Sequence, residues 1–182
     1  MLIVEGTDLT GKTVLCEKLR ERLAALDEPH EYAHLGLLPA EWDYVNDYVS
    51  RIRPSVVQDR FFLSEAAYGP VVRGGSRVSP IQLDALTTML RAAGGFTVVL
   101  VAEEDGTLDM AYRNKREPEL FELRDIVAVN RQFATLSERY ADHEVQVGLD
   151  RDGAVRYATD DDIVRIVREY LIWRELMRAL RS

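Results

Sequence analysis

Near the start of the chain, "EGTDLTGKT" places Gly6, Gly11, Lys12 and Thr13 in the spacing G-x-x-x-x-G-K-[ST]. That spacing serves one chemical task, the gripping of a polyphosphate. The glycines let the backbone turn tightly, successive N–H groups converge on anionic oxygens, the lysine reaches the β and γ oxygens, and the hydroxyl beside it binds Mg²⁺. Gly6, Thr7, Leu9, Thr10, Gly11, Lys12, Thr13 and Val14 are therefore the candidate ATP-binding residues, and Thr13 is the first candidate for the magnesium. Asp8 does not follow from that logic. A carboxylate inside an anion-binding loop either turns away into solvent or faces a second ligand that offers a hydrogen-bond donor.

A second constellation lies in "VVQDRFFLSEAAYGPVVRGGSR", where Asp59 and Arg60 stand at the end of an apolar run. If that run is a strand of an open parallel sheet, the pair sits at the carboxyl edge that lines the ligand crevice. There Asp59 holds Mg²⁺ through water or orients an acceptor, and Arg60, Arg73 and Arg77 grip a second phosphate bidentately. The plainer alternative is an aspartate capping the next helix among solvated arginines. A third stretch, "EEDGTLDMAYRNKREPELFE", gathers Arg113, Lys115 and Arg116, either as a basic, solvated helix turn or as a segment that closes over bound phosphates.

The elements that must position these groups alternate. Short β-branched runs at "LIVEG", "EYAHL", "SVVQD", "FTVVLVAE" and "EVQVGL" predict about five strands, separated by amphipathic stretches. Val14, Leu15, Leu19, Leu23 and Leu26 recur at helical spacing directly after the glycine-rich loop. Ser79 before Pro80 starts a helix through "IQLDALTTMLRAAG", which Gly94 and Gly95 end. A long helix is predicted over "PELFELRDIVAVNRQFATLSERY", and another begins at Thr159 with three aspartates in its first turn. The pattern is an α/β three-layer sandwich of the P-loop NTPase type, a parallel sheet with helices on both faces. A single domain over 1–182 is expected, without repeats or linkers.

The 182 residues carry 23 Lys and Arg against 31 Asp and Glu, a net charge of −8 that repels a polyanion, so no nucleic-acid partner is expected. Cys16 is the one cysteine and reads as a small core residue in a reducing setting. The apolar start "MLIV" is too short for a signal peptide, and no run approaches the ~20 residues of a membrane span. A cytoplasmic protein acting on a small-molecule nucleotide, away from membranes, is expected.

Taken together, "EGTDLTGKT" and "DRFFLSEAAYG" resemble the thymidylate kinases and related deoxynucleotide kinases, whose pattern is E-G-x-D-x-x-G-K-[ST] followed by D-R-[YF]-x-x-S-x-x-A-Y. The resemblance implies phosphoryl transfer from MgATP to a deoxynucleoside monophosphate, thymidylate or a related pyrimidine nucleotide. It assigns Asp8 to the acceptor sugar's 3′-hydroxyl, and it places Asp8, Arg60, Tyr68 and Arg73 in the acceptor site. It makes 104–118 a lid, and it implies a homodimer, as is common in the family. Leu9 stands where some members carry a P-loop arginine; members without it supply the catalytic charge from the lid. Lys12, Asp59, Arg60, Arg113 and Arg116 are thus the expected catalytic residues, with Thr13 and Asp59 on the nucleotide's Mg²⁺. The chain departs from the family in its base-reading segment: "HLGLLPAEWDYVNDYVSRIRPS" lacks the usual arrangement, and Gly69 follows Tyr68 where glutamine is typical. Trp42, Tyr44 and Tyr48 either stack on a base or form one packed helical face. The alternatives are a kinase of a nucleoside or of a modified pyrimidine, even within DNA, and a P-loop ATP-binding switch.

Overall fold

The computed structural model describes residues 1–36, 39, 42–115 and 120–181. Among them the chain runs β1 (Leu2–Gly6), α1 (Lys12–Ala24), β2 (Glu31–His34), α2 (Tyr44–Ser50), β3 (Val56–Asp59), α3 (Phe62–Arg73), α4 (Pro80–Ala92), β4 (Phe96–Ala102), α5 (Asp105–Arg113), α6 (Leu123–Tyr140), β5 (His143–Leu149), β6 (Val155–Arg156) and α7 (Asp160–Ala179). The five expected strands form one parallel sheet in the order β2-β3-β1-β4-β5, and β6 adds an antiparallel edge to β5. Helix α6 begins at Leu123, later than the expected start near 118, and residues 118–119 lie outside the described residues. Helix α5, nine residues long, occupies most of the segment read as a polar lid, because Thr107, Leu108 and Ala111 bury one face of it.

Period-two alternation divides the core between the two sheet faces. On one side Leu2 and Val4 of β1 and Phe96, Val98 and Leu100 of β4 pack on α1 and α7 through Leu15, Leu19, Ile166 and Tyr170. On the other, Ile3, Val99 and Val101 meet Tyr48, Phe61, Leu86 and Phe133 from the opposite helices. Each such buried Leu, Val or Phe contributes roughly 1.5–3 kcal/mol. Cys16 is buried and free, as its place in α1 implies. No described helix is long and apolar enough to cross a membrane.

Strand β1 lies between β3 and β4, with Val4 in register with Asp59 and Gly6 with Leu100. The chain leaves β1, visits the sheet edge at β2, returns at β3 and only then crosses to β4. The carboxyl ends of β1 and β3 therefore open side by side at the reversal of winding, which is where an open α/β sheet holds its ligand.

One buried carboxylate welds these two strand ends together. Glu5 is fully buried and accepts hydrogen bonds from the N–H groups of Phe61 (2.9 Å), Leu63 (3.0 Å) and Ser64 (3.3 Å), and from the Ser64 hydroxyl (2.5 Å). It caps α3 from a neighbouring strand, and Phe61, at the cap position itself, contributes no side-chain bond. Burial pushes Glu5 up to about 7, against the lowering effect of those donors and of Arg60. A carboxyl whose folded value exceeds its unfolded one contributes its full stability below about pH 4.5, and that contribution is lost as pH rises toward 7. The unfolding free energy of wild type relative to Glu5→Gln is expected to fall by about 3 kcal/mol between pH 4.5 and 7.5, read from urea midpoints at each pH. A difference that stays flat would mean that Glu5 is ionised throughout and that its hydrogen bonds outweigh burial.

Candidate active site

The loop between β1 and α1 takes the conformation its glycines permit. Gly6 and Gly11 have φ of 145° and 80°, and a Cβ on Gly6 would lie 2.7 Å from the Leu100 carbonyl oxygen. Leu9 also sits in the left-handed region, at φ 72°, which a side chain tolerates only at a cost. The Thr10 hydroxyl donates to the Thr7 carbonyl at 2.7 Å, and the Lys12 ammonium donates to the same oxygen at 2.6 Å. Lys12 is only 6% exposed. Burial, helped by the neighbouring Arg60, lowers its value to about 8, while Asp8 and Asp59 pull the other way.

Thr13, in the first turn of α1, donates its hydroxyl to Asp59 Oδ2 at 2.7 Å. Tyr32 donates to the same oxygen at 3.1 Å, and His34 Nδ1 stands 3.5 Å from it. Among the described residues, Asp59 Oδ1 is buried without a partner. A hard cation takes oxygen donors, and Mg²⁺ commonly keeps several waters beside one or two protein groups. The Thr13 hydroxyl and the Asp59 carboxylate, with one oxygen unsatisfied, fit that demand. Tyr32 and His34 were not among the expected site residues. Their signal was available, because two polar side chains at i and i+2 near the end of β2 share the face beside Asp59, and His34 is in register with it.

Asp8 turns inward. Its Oδ1 pairs with the Arg60 guanidinium and lies 3.8 Å from the Lys12 ammonium, and its Oδ2 accepts from the Tyr68 hydroxyl at 3.0 Å. The Tyr68 hydroxyl in turn accepts from the Asp8 N–H at 3.1 Å. Burial alone would raise the carboxyl, but Lys12 and Arg60, with Tyr68 and Lys115, hold it below the usual aspartate value. Arg60 has φ 65°, lies over the Tyr68 ring at 5.3 Å and, among the described residues, keeps a buried Nε without a partner. The expectation that Asp8 avoids solvent for a partner thus has a ligand-free counterpart within the chain.

Two cavities meet at Arg60. A cleft of about 520 Å³ is lined by Asp8, Leu9, Gly11, Lys12, Thr13 and Val14 together with Lys18, His34, Asp59, Arg60, Lys115, Tyr157 and Ala158. Its size suits a small-molecule ligand. A smaller recess of about 60 Å³ lies between Leu35, Tyr48, Phe61, Tyr68 and Phe121, with Ser64, Glu65 and Arg73 as polar members. Arg73 reaches the recess but is paired with Glu65 at its wall. Arg113 does not line the cleft: its side chain is 72% exposed and paired with Asp109 one turn back on α5. The helical spacing of that pair, i and i+4, holds it on the outer face. Arg116 lies outside the described residues. Of the cations in 104–118, Lys115 lines the cleft among the described residues. Tyr44 and Tyr48 are core residues of α2, edge-to-face with each other and with Trp42, so these aromatics form the packed helical face.

No family model matches the sequence, and no curated protein matches it. Among solved structures, the chain is similar to the YorR protein of Bacillus subtilis in complex with phosphorylated GDP, at a TM-score of 0.67 and 17% identity over 98% of this chain and 97% of that one. It is also similar to thymidylate kinase from Ehrlichia chaffeensis, at a TM-score of 0.47 and 17% identity over 94% of this chain and 96% of that one. The full-length agreement with the Bacillus protein, with the sheet order above, shows that this chain has a three-layer α/β fold with a mostly parallel sheet between helices.

Proposed function

We propose that the protein transfers the γ-phosphoryl group of ATP to a deoxynucleoside monophosphate, thymidylate or a related pyrimidine nucleotide. One observation carries this reading: Asp8, inside the phosphate loop, is aimed with Arg60 and Tyr68 at the junction of the cleft and the aromatic recess. A loop built only to hold a triphosphate has no use for a carboxylate there. A kinase that holds a sugar hydroxyl next to the transferred phosphate does. The nucleotide complex of the Bacillus neighbour supports the ligand class.

In this reading the loop N–H groups and Lys12 bind the β and γ phosphates, and Arg60 binds the acceptor phosphate bidentately. Thr13 and Asp59 would hold the nucleotide's Mg²⁺, which neutralises phosphate charge when bound. Lys115 brings positive charge from the lid side, with Arg113 and Arg116 as the arginines whose approach closure requires. Asp8 accepts the acceptor's 3′-hydroxyl, and Tyr68 keeps the carboxylate aimed. Product formation from a panel of monophosphates, nucleosides and short DNAs tests the assignment. Hydrolysis of ATP unaffected by every acceptor would favour a switch.

A second reading keeps the reaction and changes the base. Glu65 is buried beside the recess, where a carboxylate accepts from amino groups; cytosine, adenine and guanine each offer one, whereas thymine offers a single ring N–H. Turnover of dCMP, dAMP or dGMP above dTMP in the same panel would select it.

Two further outcomes are expected. Lys12→Ala should lose transfer while keeping its circular dichroism spectrum. In wild type, ATP affinity should weaken as pH rises through about 8, where the ammonium discharges, and the variant should lack that step. Asp8→Asn should still bind ATP but lose about 1.5–3 kcal/mol, roughly 10- to 150-fold, in kcat/KM for the acceptor. A 3′-deoxy acceptor should be poor with wild type and lose little more with the variant. Equal use of 3′-deoxy and 3′-hydroxy acceptors by wild type would leave Asp8 without a sugar partner.

A further inference from the structure

The edge strand β2 sends one side chain to the carboxylate at the end of β3 without reaching the cleft. Tyr32 stands opposite Val57 in the parallel pair of β2 and β3, two residues short of the level of Asp59, and its hydroxyl spans that gap to donate to Asp59 Oδ2 at 3.1 Å. Thr13, from α1, donates to the same oxygen at 2.7 Å. His34 Nδ1, at 3.5 Å, lies beyond a good hydrogen bond, so the second firm donor is the phenol. Asp59 and Thr13 line the cleft, whereas Tyr32 is not among the described residues that do.

The two oxygens of Asp59 are thus treated unequally. The terminal torsion of an aspartate is broad and roughly two-fold, so one hydroxyl, which itself rotates, leaves the two oxygens nearly interchangeable. Two hydroxyls arriving from different elements single out Oδ2. The other oxygen, Oδ1, is buried without a partner among the described residues, on a side chain only 1% exposed. Leaving a buried acceptor bare costs free energy, and the cost is recovered if that oxygen serves a cation or its water. The Tyr32 ring is 38% exposed, so its burial contributes less to the sheet edge than a core ring would.

Resting on the reading of Thr13 and Asp59 as the magnesium site, we propose that Tyr32 is a positioning residue for Asp59, whose hydroxyl occupies Oδ2 and leaves Oδ1 as the oxygen that serves the ion. The group that matters is then the hydroxyl, and the ring only carries it. Hydrogen-bond partners behind a metal-holding group commonly change metal affinity 10- to 100-fold when they are removed. The edge strand acquires a purpose in the same step, since it supplies the donor that neither α1 nor β3 can.

Calorimetric titration of the full chain with ATP, in excess Mg²⁺ and in EDTA, gives the factor by which the metal strengthens nucleotide binding. By linkage, whatever factor the metal's affinity loses is lost from that ratio. Tyr32→Phe keeps the ring and removes the hydroxyl, and it should lower the ratio roughly 10- to 100-fold by weakening MgATP alone, with metal-free ATP bound as by wild type. Asp59→Asn should itself lose the gain from Mg²⁺, and adding Tyr32→Phe to it should lower the ratio no further. Equal weakening of ATP with and without Mg²⁺ in Tyr32→Phe would overturn the inference, because the tyrosine would then only support the strand. An unchanged ratio would overturn it too, as would a loss of the same size in the Asp59→Asn background. Wild type that binds ATP equally in both buffers would remove the metal site and this inference with it. Wild type that binds ATP in neither would remove the nucleotide site itself, and the proposed kinase activity with it.

Discussion

The arrangement depends on a carboxylate that touches no ligand. Glu5 projects from β1 and satisfies three N–H groups and a hydroxyl at the start of α3, so the glycine-rich loop after β1 and the Asp59–Arg60 turn after β3 cannot move independently. The first N–H groups of a helix need acceptors, and α3 finds them one strand away rather than in its own cap residue. This exchange frees the Asp59–Arg60–Phe61 segment to bend. Arg60 adopts a left-handed φ of 65°, its own N–H donates to the Val4 carbonyl at 3.0 Å, and its guanidinium is delivered to Asp8. The strain is small and local, and it is retained because three elements over-determine it.

How much of this was legible in the residues follows from the range of the interactions. The strands of the parallel sheet were readable because each is a short β-branched run between helical patterns, and the loop because its glycines and lysine have no other economical explanation. Asp59 and Arg60 were readable from their place at a strand end. The hairpin of β5 and β6 was written in the sequence as "DRDGAVRY", an aspartate-glycine turn flanked by a valine and a tyrosine, but a two-residue strand gives no periodicity to detect. Helix α5 was hidden for a related reason, since nine residues with two charged ends read as a polar loop until the sheet supplies a surface for Leu108 and Ala111. The destination of Arg113 could not be read at all. A lid arginine and a helix-surface arginine have the same spacing to their neighbours, and only the formed helix brings Asp109 within 2.8 Å.

The aromatic segment makes the same point from the core side. Trp42, Tyr44 and Tyr48 satisfy both a stacking surface and a packed helical face when seen as spacings alone. Burial decides: Tyr48 is enclosed by Phe61 and Phe62 at ring distances of 5.1 and 6.1 Å, so its contribution to a ligand is limited to the edge that forms the recess. Arg51 lies over Trp42 at 4.9 Å and Arg53 pairs with Glu31, which places both cations on intramolecular partners.

The electrostatics of the ligand-free cleft explain why a carboxylate is tolerated in the anion loop. Lys12 and Arg60 are both largely removed from water, and the value of Lys12 is lowered first by burial and then by the neighbouring Arg60 charge. Asp8 and Asp59 offset part of that lowering. Asp8 stands within reach of both cations and is itself held ionised by them, so the three charges form a unit with a net charge of about +1 rather than two mutually repelling cations. Both cations are thus oriented and desolvated in the ligand-free cleft, beside a carboxylate that the Tyr68 hydroxyl keeps in place. The aspartate that breaks the pattern of the loop is therefore one of the carboxylates that compensate its buried lysine.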